Sequence, residues 1–407
     1  MSEKSSVSRR GFVGGLATVA GYLTLTPSGE LMAQEGRDAL RVHRASRVAS
    51  GAMVDAGPLE DYDAYAKLAS NENPYGPPDS VMKAMTQAFK YANRYSYPDG
   101  EILQEIARYH GVQPENVLLG AGSGELLKVV GATFLTNSKM VVGAEPTFNS
   151  VYEHAAGIKA DAIKLPLLAD CSQDIPAMIH ATRTHYRDIG FVYLCNPNNP
   201  TGRIVTKGEV RQLLDGIPED IPVLIDEAYH HFVDSSDYAT SLPYVLEGRQ
   251  VIVTRTFSKI AALAGMRLGY AVAPTAIIDQ LRPHSVGSIN AIVKWGGVAA
   301  LKDTTSQASV KKVTIDLRTK ATTELTSLGY TVIPSDTNFF MVHIRRPVLP
   351  VIAEFKRKGV LVGRPFPPMN DHLRVSVGTP EEMQRFSVAF REIFSTSAKT
   401  TGGSPDR

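Results

Sequence analysis

Two cysteines in 407 residues, Cys171 and Cys195, are too few for a disulfide scaffold or a zinc site. Cys195 stands in an apolar, strand-like run, where a buried free thiol is expected. Charge of one sign is also lacking: acids and bases nearly balance at a formal net charge of +2, so there is no basic field for nucleic acid and no strongly acidic tail. No internal repeat or coiled-coil heptad is present. What the chain does have is apolar content, 43% of its residues, enough to fill substantial cores, and a length that suits two or three domains. Small-molecule chemistry in a globular protein is the expectation these absences leave.

The first thirty-odd residues differ from the rest. Ser8-Arg9-Arg10-Gly11-Phe12-Val13 precedes a mildly apolar stretch, Gly14 to Leu25, that ends at Pro27. This resembles a twin-arginine export signal and implies a periplasmic or extracytoplasmic protein. The stretch is shorter and richer in glycine than the about 20 strongly apolar residues of a membrane span. Leu31-Met32-Ala33 is the nearest cleavage candidate, a poor one, so an uncleaved anchor stays open; a chance Arg-Arg pair in an ordinary arm would leave the protein cytoplasmic.

From about Ala66, short β-branched runs alternate with longer helical patterns, as expected of an α/β protein with a largely parallel sheet. Candidate strands are Val117 to Leu119, Met140 to Val142, Phe191 to Cys195, Val223 to Ile225 and Val251 to Thr254. Each is followed at once by turn or chemical residues, and open parallel sheets bind ligands at the carboxyl ends of their strands. The expected division is a signal at 1–33, an arm at 34–65, an N-terminal part of a small domain at 66–98, a large domain at 99–290, a C-terminal small domain at 291–395 and a disordered tail at 396–407. The small domain is expected to hold a helix near Ser309 to Leu328, strands at Asn338 to Ile344 and Val360 to Val362, and a helix near Val351 to Lys358.

Four segments carry candidate chemistry. Gly120-Ala121-Gly122-Ser123-Gly124-Glu125 opens an apolar helical pattern, so its N–H groups could cradle an anion; a plain glycine-rich turn explains the same residues. It is no dinucleotide fingerprint, because Glu125 stands where a third glycine belongs, and no phosphate-loop Gly-Lys-Ser/Thr follows. Asp226 closes a strand with Tyr229 three residues on; a buried carboxylate there needs a cationic partner such as a protonated heteroaromatic nitrogen, while a helix-capping Asp is the alternative. Cys195 to Gly202, with two Asn-Pro steps, builds a rigid turn that can present an amide to a phenolate. Thr256-Phe257-Ser258-Lys259, with Arg267 close behind, suits an amine that forms a Schiff base beside a phosphate.

Asn199-Pro200-Thr201-Gly202, Asp226-Glu227-Ala228-Tyr229 and Ser258-Lys259 with Arg267, in this order and spacing, resemble a fold-type I aminotransferase dependent on pyridoxal phosphate. The likeness to the histidinol-phosphate aminotransferase family is closer, through Ser70-Asn71-Glu72-Asn73-Pro74-Tyr75-Gly76-Pro77, Tyr97-Pro98-Asp99-Gly100, Pro334-Ser335 with Asn338-Phe339, and Leu373 to Thr379. It runs from about Lys67 to Phe394. The resemblance implies a large domain with a mostly parallel central sheet flanked by helices, a smaller α+β domain, a homodimer, and transfer of an amino group between a glutamate-like donor and an oxo acid, aldehyde or ketone.

It also implies roles. Lys259 would anchor the cofactor and shuttle the proton of the substrate α-carbon, its amine freed by burial beside Arg267. Asp226 would pair the ring nitrogen, Asn199 and Tyr229 the phenolic oxygen, and Phe148 would stack on the ring. Ser123, Gly124, Thr256, Ser258 and Arg267 would bind the phosphate, with Tyr97 reaching it from a partner subunit. Arg374 would clamp a substrate carboxylate, as a guanidinium fork does; Arg364, Asn73 and Tyr75 complete the candidate substrate contacts.

Three features depart from the family pattern. A leader sits poorly with cytoplasmic histidine synthesis, although twin-arginine export carries folded, cofactor-loaded proteins. Gly363-Arg364-Pro365-Phe366-Pro367-Pro368-Met369 stands where an arginine directly after Val is common, suggesting a more apolar wall with Arg364 as a second anion contact. His230 and His231 stand where a carboxylate is common; they lack an evident third ligand, so packing or surface roles are expected and no metal. A lyase or decarboxylase on the same scaffold, and a cofactor-binding regulator without turnover, are the competing readings; the second lacks a DNA-binding segment before Lys67.

Overall fold

The computed structural model describes residues 62–395; the expected leader, nearly all of the arm and the tail lie outside the described residues. Twelve strands are defined among them: β1 Ala66–Leu68, β2 Val117–Gly120, β3 Met140–Glu145, β4 Ala162–Pro166, β5 Ile189–Cys195, β6 Val223–Asp226, β7 Val251–Thr256, β8 Gly269–Val272, β9 Thr331–Ile333, β10 Phe339–His343, β11 Val360–Val362 and β12 His372–Ser376. Seven form one sheet in the order β2-β8-β7-β6-β5-β3-β4. Pairing is parallel from β7 through β6, β5 and β3 to β4, whereas β8 runs antiparallel to both β7 and β2. Two reversals leave β2 pointing the same way as β7. The expected largely parallel sheet is therefore present, with β8 as its exception.

Every residue of β5, β6, β7 and β8 is buried, which is why these segments read as continuous apolar runs: helices cover both faces of the sheet. Period-two alternation divides them between two cores. Val223, Ile225, Val251 and Val253 join one cluster, and Leu224, Ile252, Phe191, Tyr193 and Cys195 join the other. Helices start where the sequence supplies caps. Thr206 and Glu209 form a capping box at Lys207–Gly216, Asp174 accepts from Ala177 N at Ile175–Thr184, and Asp303 accepts from Ser306 N at Thr304–Ser327. The last of these is the long helix expected near Ser309 to Leu328.

The remaining strands form an antiparallel sheet, β12-β10-β9, and a parallel pair, β1-β11, which joins Ala66 to Val360. A third core packs Phe355, Phe386 and Phe390 with Ala66, Leu68, Phe340 and Val375. The helix expected near Val351 to Lys358 is Val348–Arg357. No helix among the described residues is long and apolar enough to cross a membrane.

Candidate active site

The carboxyl ends of β2, β3, β5, β6 and β7 meet at one cavity of about 220 Å³. Ser123, Gly124, Phe148, Asn199, Asp226, Tyr229, Thr256, Ser258, Lys259 and Arg267 all line it, together with Ala228 and Ala264. Five separate segments of the sequence thus converge as their positions after strands predict.

The glycine turn becomes a cradle. Gly122 has φ +81 and caps the helix Ser123–Phe134, whose first N–H groups have no intrahelical acceptor. Arg267 lies across it: Nη2 donates to Ala121 O at 3.2 Å, and Nη1 donates to Ala264 O at 2.8 Å and to Ser258 Oγ at 3.4 Å. A Cβ on Gly122 would overlap Arg267 Nη2, so the glycine is required for this approach. Ser258 N donates to Thr256 Oγ1 at 3.1 Å, and Thr256 Oγ1 to Ser258 Oγ at 2.9 Å, presenting both hydroxyls beside the guanidinium. Glu125, the residue that breaks the dinucleotide fingerprint, turns its carboxylate back to accept from Ala121 N and from Val286 N, tying the loop shut.

Opposite this anion cradle stands Asp226, 2% exposed at the end of β6. Its Oδ1 accepts from Thr254 Oγ1 at 3.1 Å, and among the described residues no cationic side chain hydrogen-bonds it. Burial pushes its carboxyl up to about 6, against hydrogen bonds from Thr254 and Ala228 N; Glu227 raises it further and Lys259 lowers it. It closes a strand and faces a cavity, so the helix-cap alternative does not apply.

Lys259 Nζ donates to Ser70 O at 3.2 Å and lies 5.6 Å from the Tyr229 ring centroid. Burial lowers its ammonium to about 8, helped next by Arg374 and, after an opposing pull from Glu72, by Arg267. The expected depression is present, but Arg374 outweighs Arg267 as its charged cause. The Tyr229 hydroxyl accepts from Asn71 Nδ2 at 3.0 Å and from Asn199 Nδ2 at 3.4 Å, and burial raises its pKa to about 12.

Asn71 is the residue the motif reading missed. Its side chain accepts from Ser376 Oγ at 2.8 Å, its backbone N donates to the same hydroxyl, and its carbonyl accepts from Asn338 Nδ2. Three separated motifs therefore meet at Asn71, whose side-chain amide donates to Tyr229. The available signal was Asn71 within Ser70 to Pro77; its distance of 305 residues from Ser376 hid the connection.

Arg374 is buried. Nη1 donates to Asn199 Oδ1 at 2.7 Å and Nη2 to Ala69 O at 2.6 Å, while Nε has no partner. Burial lowers it to about 10, Tyr229 opposing and Arg364 assisting. Arg364 and Arg374 lie 4.4 and 4.5 Å from the centroid of Phe366, so the apolar wall expected at Pro365 to Met369 packs directly on both guanidiniums.

Other candidates fall elsewhere. Asn73 Nδ2 donates to Ile260 O at 2.9 Å, and Asn73 and the half-exposed Tyr75 line a neighbouring cavity of about 660 Å³ with Ile260 and Ala261. Tyr97 does not line the 220 Å³ cavity of its own chain; its hydroxyl donates to Ile289 O at 2.9 Å. The rings of His230 and His231 lie 3.7 Å apart at a tilt of 41°, and burial lowers both, consistent with packing. No metal-holding group of His, Cys, Asp or Glu occurs among the described residues. Cys195 is buried and its thiol is pushed up to about 12 by burial.

An anion cradle, a buried carboxylate and a lysine amine lining one cavity fit the phosphate, the ring nitrogen and the aldehyde of pyridoxal phosphate. Fold and site together define a fold-type I pyridoxal-phosphate-dependent transferase. The sequence profile of the aminotransferase class I and II family matches residues 64–390, and the chain belongs to that family. A histidinol-phosphate aminotransferase of Moorella thermoacetica is 38% identical over 335 residues, 80% of this chain and 85% of the relative. The crystal structure of histidinol-phosphate aminotransferase from Sinorhizobium meliloti in complex with pyridoxal-5'-phosphate superposes with a TM-score of 0.74 at 26% identity, covering 81% of this chain and 91% of that one. L-threonine-O-3-phosphate decarboxylase from Porphyromonas gingivalis gives 0.70 at 20% identity over 81% and 99%, a likeness of fold alone. The protein is a pyridoxal-phosphate-dependent aminotransferase similar to histidinol-phosphate aminotransferases.

Proposed function

We propose that Lys259 is the covalent anchor and proton carrier of this aminotransferase, and that Arg374, with Arg364, selects a donor or acceptor bearing an anionic group. One observation carries the reading: a lysine amine lowered to about 8 sits in the same cavity as Asp226 and Arg267, with Arg374 as its strongest charged neighbour. Pyridoxal phosphate, when bound, supplies the carbonyl that condenses with an amine and the electron sink for the α-carbon. Asp226 would hold a proton on the ring nitrogen, Asn199 and Tyr229 would donate to the phenolic oxygen, and Asn71, donating to the Tyr229 hydroxyl, would orient it. Ser123, Gly124, Thr256, Ser258 and Arg267 would hold the phosphate, and Phe148 would cover the ring. Lys259 Nζ would hold the proton taken from the substrate α-carbon, and Arg374 would fix the substrate so that this bond stays within its reach.

The likeness to histidinol-phosphate aminotransferases makes histidinol phosphate, paired with the oxo acid that corresponds to a glutamate-like donor, the first substrate pair to assay. Purified, cofactor-loaded protein offered a panel of amino donors one at a time tests this, with phosphate-bearing and carboxylate-bearing amines as the two arms. Tyr97 completes the cavity of a partner subunit in a homodimer, which its position outside its own cavity supports. Ser8 to Leu25 directs export; fractionation of cells expressing the full chain and an Arg9→Lys/Arg10→Lys variant tests it, an unchanged distribution opposing it.

A further inference from the structure

Beneath the cavity, on the other face of the sheet, lies a charged pair that has no part in the roles above. Glu227 is 0% exposed and Arg255 is 4% exposed. Arg255 Nη2 and Nε donate to Glu227 Oε2 at 2.7 and 3.2 Å, and Arg255 Nη2 donates to Thr240 Oγ1 at 2.8 Å. Glu227 also accepts from Thr240 Oγ1 at 2.9 Å and Ser241 N at 2.6 Å, so its carboxylate is fully satisfied.

Alternation along the strands explains its place. Thr254 and Thr256 turn toward the cavity side, where Thr254 bonds Asp226; Arg255, between them, must turn to the opposite face. Asp226 and Glu227 divide in the same way. Asp226 is registered with Thr254, and Glu227 N donates to Thr254 O at 2.9 Å. The pair thus bolts the ends of β6 and β7 together, one residue from Asp226 and one from Thr256.

We infer that Glu227 and Arg255 are positioning residues that fix where Asp226 stands and leave it the one uncompensated negative charge facing the cofactor ring. The inference rests on Asp226 as the ring-nitrogen partner. Without Arg255, a carboxylate one residue from Asp226 would be unbalanced in a medium where charges act strongly. The groups facing the pair cannot replace it. Burial, the largest cause, lowers His110 and His231 to about 3 and His230 well below its ordinary value, with Arg255 a smaller contributor to each. Tyr270, which contacts His110 Nε2 at 2.7 Å, is pushed up to about 12 by burial, and Tyr238 is raised well above its ordinary value, so both phenols are uncharged. Lys311 reaches the area from its own helix, but its Nζ donates to Val233 O at 2.6 Å. On the cavity side the charged groups are Asp226, Lys259 and Arg267, with Arg374 and Glu72 acting on Lys259.

The test compares Arg255→Met, Arg255→Lys and the double variant Glu227→Gln/Arg255→Met as holoenzymes. Two readouts serve: the acid limb of kcat/KM against pH, and the Kd for pyridoxal phosphate by titration of the stripped protein. In Arg255→Met the stranded Glu227 should move the acid limb up by about one pH unit. Arg255→Lys keeps the charge and should leave the limb in place. The double variant strands no charge, so it folds even where Arg255→Met does not. It should show the wild-type limb with cofactor binding weakened about tenfold, because the bolt is gone while the charge balance is kept. Equal limbs for Met and Lys, or a double variant that binds cofactor as tightly as wild type, overturns the inference. Asp226→Asn separates it from the reading beneath it: if that variant keeps the acid limb, Asp226 itself is misassigned.

Discussion

Lys259 is held between opposing influences, and its reactivity follows from their balance. Burial, Arg374 and Arg267 favour the neutral amine, and Glu72 and Asp226 favour the ammonium; the result is about 8 rather than the ordinary value of 10.5. A lowered ammonium pKa means that free amine accumulates as pH rises through about 8. Uptake of pyridoxal phosphate by the stripped protein should accelerate through that range and then level off. Removing Arg374 removes the largest charged cause of the depression, so Arg374→Ala should shift the rise to higher pH; stopped-flow absorbance checks the direction, and a shift to lower pH contradicts it. Lys259→Ala should abolish turnover while leaving the circular dichroism spectrum and thermal midpoint near wild type, because among the described residues its amine hydrogen-bonds only Ser70 O.

The glycine cradle and the strand ends around it act as elements. Gly122→Ala would place a methyl group into Arg267 and a non-glycine residue at φ +81, ψ 162, a region nearly confined to glycine that costs roughly 1–3 kcal/mol in itself. Cofactor affinity should fall by more than tenfold with a modest loss of stability, read by parallel titration and thermal melts; unchanged affinity would remove Arg267 from the cradle. Much of this region was legible in the chain. The five strands that end at the site are β-branched runs followed at once by turn or chemical residues, and a covered parallel sheet leaves that signature. β8 was not legible, because Gly269-Tyr270-Ala271-Val272 is short and carries neither alternation nor a run of β-branched residues. Asn71 and Arg255 stayed hidden for another reason. Their partners, Ser376 and Glu227, are set by sheet register and loop closure across 305 and 28 residues, which no local pattern encodes. The substrate wall was half visible: Arg364 and Phe366 could be flagged, but their packing on Arg374 required the fold.

At the scale of the whole molecule, the proposed dimer makes a sharp prediction. If Tyr97 serves a partner's cavity, mixing Lys259→Ala chains with Tyr97→Ala chains should restore activity. The hybrid contains one site with an intact lysine and an intact tyrosine from its neighbour. No recovery after mixing and reassociation would place Tyr97 in service of its own chain. The central claim, that this aminotransferase works through Lys259 at the convergence of five strands, meets its most direct test in a half-reaction. Cofactor-loaded protein is mixed with an amino donor alone, and the visible spectrum is followed alongside analysis of the released product. Conversion of bound cofactor from its aldehyde to its amine form, one oxo product per active site, and no conversion in Lys259→Ala are predicted. Release of carbon dioxide or of an eliminated side-chain group, or equal conversion by the Lys259→Ala protein, would contradict the account.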